Sequence, residues 1–313
     1  MSLGGNGREK DHASELRSIF SLKKIADAVN GYEEAKYVVF GIPFDNTSSY
    51  RRGSKYAPDS IRGAYVNLES YEYSYGIDLL ASGMADLGDM EESEDVEYVI
   101  DTVESVVSAV MSDGKIPIML GGEHSITVGA VRALPKDVDL VIVDAHSDFR
   151  SSYMGNKYNH ACVTRRALDL LGEGRITSIG IRSVSREEFE DPDFRKVSFI
   201  SSFDVKKNGI DKYIEEVDRK SRRVYISVDM DGIDPAYAPA VGTPEPFGLA
   251  DTDVRRLIER LSYKAVGFDI VEFSPLYDNG NTSMLAAKLL QVFIASREKY
   301  YKEHIEGHHH HHH

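Results

Sequence analysis

The chain has 313 residues, 42% of them hydrophobic and 28% charged, which fits a folded globular protein and excludes collagen-like and disordered classes. No stretch approaches the ~18 uninterrupted apolar residues of a spanning helix, so no membrane association is expected. Lys+Arg 37 against Asp+Glu 51 gives a net charge of −14, which argues against a nucleic-acid partner and fits a cationic ligand. The single cysteine, Cys162, excludes an internal disulfide framework and fits a reducing compartment, and a cytoplasmic location is expected. Residues 308–313 read as a purification tag and residues 1–4 as a vector remnant, both outside fold reasoning.

In chain order, short apolar runs alternate with helical patterns. Strands are expected at 37–42, near 84–86, and at 116–120, 139–144, 176–181, 197–200, 223–229 and 264–272. Several, such as Leu140-Val141-Ile142-Val143, are continuously apolar, as strands covered on both faces must be. Between them, Val96, Val99, Ile100, Val103, Val106, Val107 and Val110 mark a helical stripe, with Gly114 placed to end it. A second helix is expected from about Asp251. A third should follow Thr282 and Ser283 as caps. About eight strands alternating with helices imply a mostly parallel sheet, as a three-layer α/β sandwich or a closed barrel, with the open sheet preferred. No linker divides the chain, so residues 1–307 read as one domain.

Ligands of such sheets bind at the carboxyl ends of the strands, and there the unusual polar residues recur. They are Gly121-Gly122-Glu123-His124-Ser125, Asp144-Ala145-His146-Ser147-Asp148, Asp229-Met230-Asp231-Gly232-Ile233-Asp234, and Glu272. Asp144, His146 and Asp148 at i, i+2 and i+4 would point the same way from an extended backbone, and Asp229 and Asp231 repeat the spacing. Each cluster alone could be a capped turn. Together, four converging carboxylates need counter-charge, which divalent cations with imidazole ligands supply. Four Asp with His124 and His146 can hold two metals. Hard oxygen donors favour manganese(II) over zinc. His160 could shuttle protons near neutral pH, or be a structural histidine. Cys162 fits burial better than nucleophilic work. His12 and His304 suggest no role.

The three metal motifs, with Gly41-Ile42-Pro43-Phe44-Asp45, Arg52-Gly53, Asp86-Leu87-Gly88-Asp89 and Gly242-Thr243-Pro244-Glu245-Pro246, resemble the ureohydrolase superfamily of arginases and agmatinases over about residues 38–295. The resemblance implies an arginase-like α/β/α sandwich around an eight-stranded parallel sheet. It implies one manganese on His124, Asp144, Asp148 and Asp229, and a second on Asp144, His146, Asp229 and Asp231. It makes Asp144 and Asp229 bridging, Asp234 a turn-ordering residue, His160 the proton shuttle and Glu272 the partner of a substrate guanidinium. Asp148 would accept a proton during attack. The products would be urea and an amine, and the assembly a trimer or hexamer.

Arginases carry an asparagine- and serine-bearing loop that grips the α-carboxylate, and an acidic residue after the Gly-hydrophobic-Arg run. Residues 150–159 do not follow that pattern, and Ser183 follows Gly180-Ile181-Arg182. The resemblance is thus strongest to agmatinase, which converts agmatine to putrescine and urea. Arginase or guanidinobutyrase activity, a metal-dependent amide deacetylase and a noncatalytic binding relative are the alternatives.

Overall fold

Eleven strands and ten helices follow from these patterns in a computed structural model, which describes residues 9–48 and 50–304. The expected tag and vector remnant lie outside the described residues. In chain order the elements are α1 (Glu9–Ile19), β1 (Phe20–Ser21), β2 (Tyr37–Ile42), α2 (Ala57–Tyr65), β3 (Tyr71–Glu72), β4 (Ile77–Asp78), β5 (Met84–Met90) and α3 (Val96–Ser112). Then come β6 (Ile116–Gly121), α4 (Thr127–Arg132), β7 (Val138–Val143), α5 (Val163–Leu171), β8 (Ile176–Ile181), α6 (Arg186–Glu190), β9 (Ser198–Ser201), α7 (Ser202–Asn208) and α8 (Ile210–Lys220). The last are β10 (Arg223–Asp229), α9 (Asp251–Leu261), β11 (Ala265–Val271) and α10 (Asn281–His304).

Nine strands form one sheet in the order β1-β5-β2-β6-β11-β10-β7-β8-β9. Eight are parallel, and the ninth is the two-residue β1, antiparallel to β5 through Phe20↔Met90. The expected count therefore misses only this edge segment and the separate β3–β4 hairpin, both too short to show a period. The sheet is open, so the barrel is excluded.

Alternation along the strands builds two cores. Val39, Ile118, Leu120, Val141, Val143, Ile226, Val228 and Ile270 face one, packed by residues of α2, α8, α9 and α10. Val38, Phe40, Met119, Leu140, Ile142 and Tyr225 face the other, packed by residues of α1, α3, α4 and α5. A sheet buried on both faces by helices is the three-layer α/β/α arrangement expected.

One departure concerns α10. Thr282 and Ser283 lie inside its first turn, and the carboxylate of Asp278 caps it by accepting from both of their amides at 3.0 and 2.9 Å. His12, for which no role was expected, is buried with its Nδ1 3.0 Å from the Asp113 carboxylate.

The chain builds β6, crosses to β7, continues outward to β9, then returns to lay β10 and β11 between β7 and β6. The four strands carrying the polar motifs thereby become neighbours at the centre of the sheet, where the order switches.

Candidate metal centre and active-site cavity

Loops leaving β6, β7, β10 and β11 meet above this switch point. His124 opens the turn after β6, Asp229 ends β10, Asp231 sits in the next turn, and Glu272 immediately follows β11. Two glycines permit the close approach. A Cβ on Gly122 would stand 2.5 Å from the Phe44 carbonyl oxygen, and one on Gly232 would stand 2.8 Å from the Asp144 amide nitrogen.

Asp144, His146 and Asp148 do converge, but by a different route from simple alternation. β7 stops at Val143, His146 makes an isolated bridge to Ser183, and Asp148 turns back at φ 48°. The turn is held by Glu188, whose Oε2 accepts from Ser147 Oγ at 2.6 Å and from the Phe149 amide at 2.7 Å.

Two sets of ligand atoms, each spanning no more than 4.8 Å, result: one on His124, Asp144, Asp148 and Asp229, the other on Asp144, His146 and Asp231. His124 Nδ1 lies 3.1 Å from Asp144 Oδ2, 3.2 Å from Asp229 Oδ2 and 3.5 Å from Asp148 Oδ2. His146 Nδ1 lies 3.0 Å from Asp231 Oδ2 and 3.7 Å from Asp144 Oδ1. Donors ~2.1 Å from one cation at octahedral angles stand about 3 Å apart, so both sets have the spacing of a coordination shell. Asp144 belongs to both. The Asp229 carboxylate stands in the first set, and its Oδ1 accepts the Asp231 amide at 2.9 Å.

The charge balance also points to cations. Burial, and the charge of Asp144, push Asp148, Asp229 and Asp231 up from the usual carboxylate range. Burial works against a charged His146, yet Asp231 and Asp144 lift it to about 12. The imidazoles thus stand in for the positive charge that four buried carboxylates require. Two divalent ions would replace those protons.

His124 is oriented from behind. Its Nε2 is 2.9 Å from Ser227 Oγ, and that hydroxyl donates to Asp269 Oδ1 at 2.6 Å. Ser227 must therefore accept from Nε2–H, so that Nδ1, facing the carboxylates, is the nitrogen that would give up its proton and offer a lone pair to an ion. Asp269 is saturated by Thr127 Oγ1 and Tyr225 OH, each at 2.9 Å.

A cavity of about 280 Å³ opens over the cluster, with His160, Glu272, Asp148 and Glu245 among its walls. Glu272 is buried at φ 68°, and its Oε1 accepts the His124 amide at 2.7 Å and lies 3.3 Å from His160 Nδ1. Burial opposes its charge, but His160 and the His124 amide hold Glu272 below the usual range. Burial likewise opposes a charged His160, but Glu272 lifts it to about 9. The two form an ion pair at neutral pH. Thr47 Oγ1 accepts the His160 amide at 3.0 Å and in turn donates to buried Glu123. Asp234 ties its turn together through the Ala236 and Gly248 amides, both at 2.8 Å.

Glu188, Thr47, Glu123, Ser227 and Asp269 thus support the site, and sequence alone assigns none of them a role. Three left a signal: Ser227 and Asp269 are polar positions within apolar strands, and Ser185-x-x-Glu188 is a capping-box pattern that the structure forms.

The arginase family model matches residues 35–295. The chain belongs to the arginase family. Among curated relatives of this ureohydrolase, the N(1)-aminopropylagmatine ureohydrolase of Thermococcus kodakarensis is 38% identical, covering 86% of this chain and 93% of that protein. The agmatinase of Pyrococcus horikoshii is also 38% identical, over 82% of this chain and 90% of its own length. The solved proclavaminate amidino hydrolase of Streptomyces clavuligerus superposes with a TM-score of 0.78 at 32% identity, covering 85% of this chain and 92% of that one. Among the described residues, no helix is long and apolar enough to cross a membrane.

Proposed function

We propose that this ureohydrolase hydrolyses agmatine to putrescine and urea, using two manganese(II) ions. The observation that carries the reading is the meeting of Glu272, His160 and the two ligand sets in one cavity. His124, Asp144, Asp148 and Asp229 would hold one ion, and Asp144, His146 and Asp231 the other. When bound, the ions lower the pKa of water enough to make it a nucleophile at neutral pH.

The protein's own residues supply the rest. A guanidinium carbon is a poor electrophile, because its charge is spread over three nitrogens. The ionised Glu272 pairs with that planar cation and holds its carbon over the ligand sets. Asp148, whose carboxylate lines the cavity beside the ligand sets, accepts the proton released as the C–O bond forms. His160, protonated at neutral pH, gives its proton to the departing amine nitrogen as the C–N bond breaks. Water is thereby divided between urea and the amine.

Agmatine is favoured over arginine because Ser183, not an acid, lines the cavity. It is favoured also because residues 150–159 lack the carboxylate-gripping pattern. The Thermococcus relative supports a second reading, N(1)-aminopropylagmatine. Urea release from agmatine, N(1)-aminopropylagmatine, arginine and 4-guanidinobutyrate, with and without added manganese, tests both. Full activity after exhaustive chelation would refute the binuclear site, and preference for arginine would refute the substrate assignment.

A further inference from the structure

Gly242, Thr243 and Glu245 line the cavity from a loop clamped at both ends. Val241 bridges Phe273, and Leu249 bridges Ile233. Arg182 grips the loop from behind, donating through Nε and Nη2 to the Glu245 carbonyl at 3.1 and 2.9 Å and also to the carbonyls of Gly180, Gly232 and Asp231. The backbone of Glu245 is therefore fixed, while its side chain, 31% exposed, lines the cavity.

That carboxylate has no hydrogen-bond partner among the described residues. Its Oε1 is 3.7 Å from His146 Nε2, too far for a hydrogen bond but only an imidazole's width from the ligand sets. The other charged groups on the cavity wall are differently disposed. Arg51 stacks 4.0 Å from the Tyr277 ring and donates to the Pro239 carbonyl. Arg150 turns toward Glu187 and Glu188, at 3.6 and 3.9 Å. Glu245 is thus a carboxylate on a fixed backbone, without a hydrogen bond among the described residues and with the His146 imidazole near it, at 3.7 Å.

We infer that Glu245 is the specificity residue that binds the distal ammonium of an aminoalkylguanidine. This rests on the ureohydrolase reading above. Six bonds separate the guanidine carbon of agmatine from its amine nitrogen, an extended reach of about 7 Å. Glu272 and Glu245 line the same cavity, so with the guanidinium on Glu272 a chain of that length would set its ammonium against the Glu245 carboxylate. A guanidino acid would bring two like charges together there. Asp148 belongs to a ligand set and Arg150 is a cation, so neither could replace this contact.

The test compares agmatine with n-pentylguanidine, in which a methyl group replaces the ammonium, on manganese-loaded wild-type enzyme and Glu245→Gln. The ratio of kcat/KM for agmatine to that for n-pentylguanidine should fall roughly ten- to hundredfold, chiefly through KM, as expected for a lost hydrogen bond to a charged group. Manganese per subunit should be unchanged. Glu245→Lys should go further and shift preference toward 4-guanidinobutyrate. An unchanged ratio in Glu245→Gln would overturn the assignment. So would equal losses on both substrates with reduced manganese, because Glu245 would then act through His146. Wild-type enzyme that hydrolyses neither guanidine would instead overturn the ureohydrolase reading, and this inference with it.

Discussion

Ser227→Ala should weaken one of the two metal sites and spare the other. The hydroxyl sits between His124 Nε2 at 2.9 Å and Asp269 Oδ1 at 2.6 Å, and all three side chains are buried. Removing it leaves the Nε2–H without an acceptor, a cost of about 1–3 kcal/mol for a buried donor. The imidazole can escape that cost by moving its proton to Nδ1, where it would point at Asp144, Asp148 and Asp229 and abolish the lone pair offered to a cation. Loss of such an outer partner typically lowers metal affinity about 10- to 100-fold, or about 1.4–2.8 kcal/mol. Asp269 keeps its donors from Thr127 and Tyr225, so the core should survive. Equilibrium dialysis of the metal-free variant against manganese should give a biphasic isotherm, with one site near wild type and one weakened. Ser227→Thr, which restores a hydroxyl, should recover the weak site. Wild-type affinity at both sites, or equal weakening of both, would refute the relay.

Glu272→Gln should retain both ions but lose about 2–4 kcal/mol of transition-state stabilisation, roughly 30- to 1000-fold in kcat/KM; near-normal turnover with full metal content would remove Glu272 from the site. Asp229→Ala should lower manganese content more than Asp234→Ala, because Asp229 faces His124 whereas Asp234 binds only the Ala236 and Gly248 amides. Metal analysis of both variants decides this. Burial pushes the Cys162 thiol up to about 11, so it is neutral at pH 8 and should resist a thiol reagent until denaturant exposes it. Asp278→Ala should cost about 1 kcal/mol of stability by uncapping α10. Burial would raise the Asp278 carboxyl, but the Ser283 and Thr282 amides hold it below its unfolded value. Its contribution is therefore present above the unfolded pKa and lost as pH falls through the folded one, so acid melts of wild type and variant should converge.

Much of the fold was legible because central parallel strands must be apolar on both faces. The run Leu140-Val141-Ile142-Val143 splits between the two cores residue by residue, and no other element accommodates such a run between helices. What stayed hidden was short or non-local. Phe20–Ser21 is a strand only because β5 offers an edge, and Asp278 caps α10 from outside any helical pattern.

The site divides along the same physical line. His124, Asp144, His146, Asp148, Asp229 and Asp231 stand out because carboxylates and imidazoles at the ends of apolar strands conflict with their surroundings unless something joins them. The sequence spacing nevertheless misidentified how they meet, since Asp148 reaches the cluster through a left-handed turn clamped by Glu188 and not by continuing the strand. Supporting residues conflict with nothing locally. Thr47 acts on His160 across 113 residues of chain and Ser227 on His124 across 103, and each alone is an ordinary small polar side chain. Only the return of β10 and β11 between β7 and β6 gives them their partners. The same crossing brings the buried Glu272 beside His124 and His160 and clamps the Glu245 loop to Phe273, so that the proposed guanidinium and ammonium contacts both depend on β11. A perturbation that shifts β11 along its neighbours should therefore disturb substrate selection and turnover together, while the His146 set, built from β7 and β10, keeps its geometry.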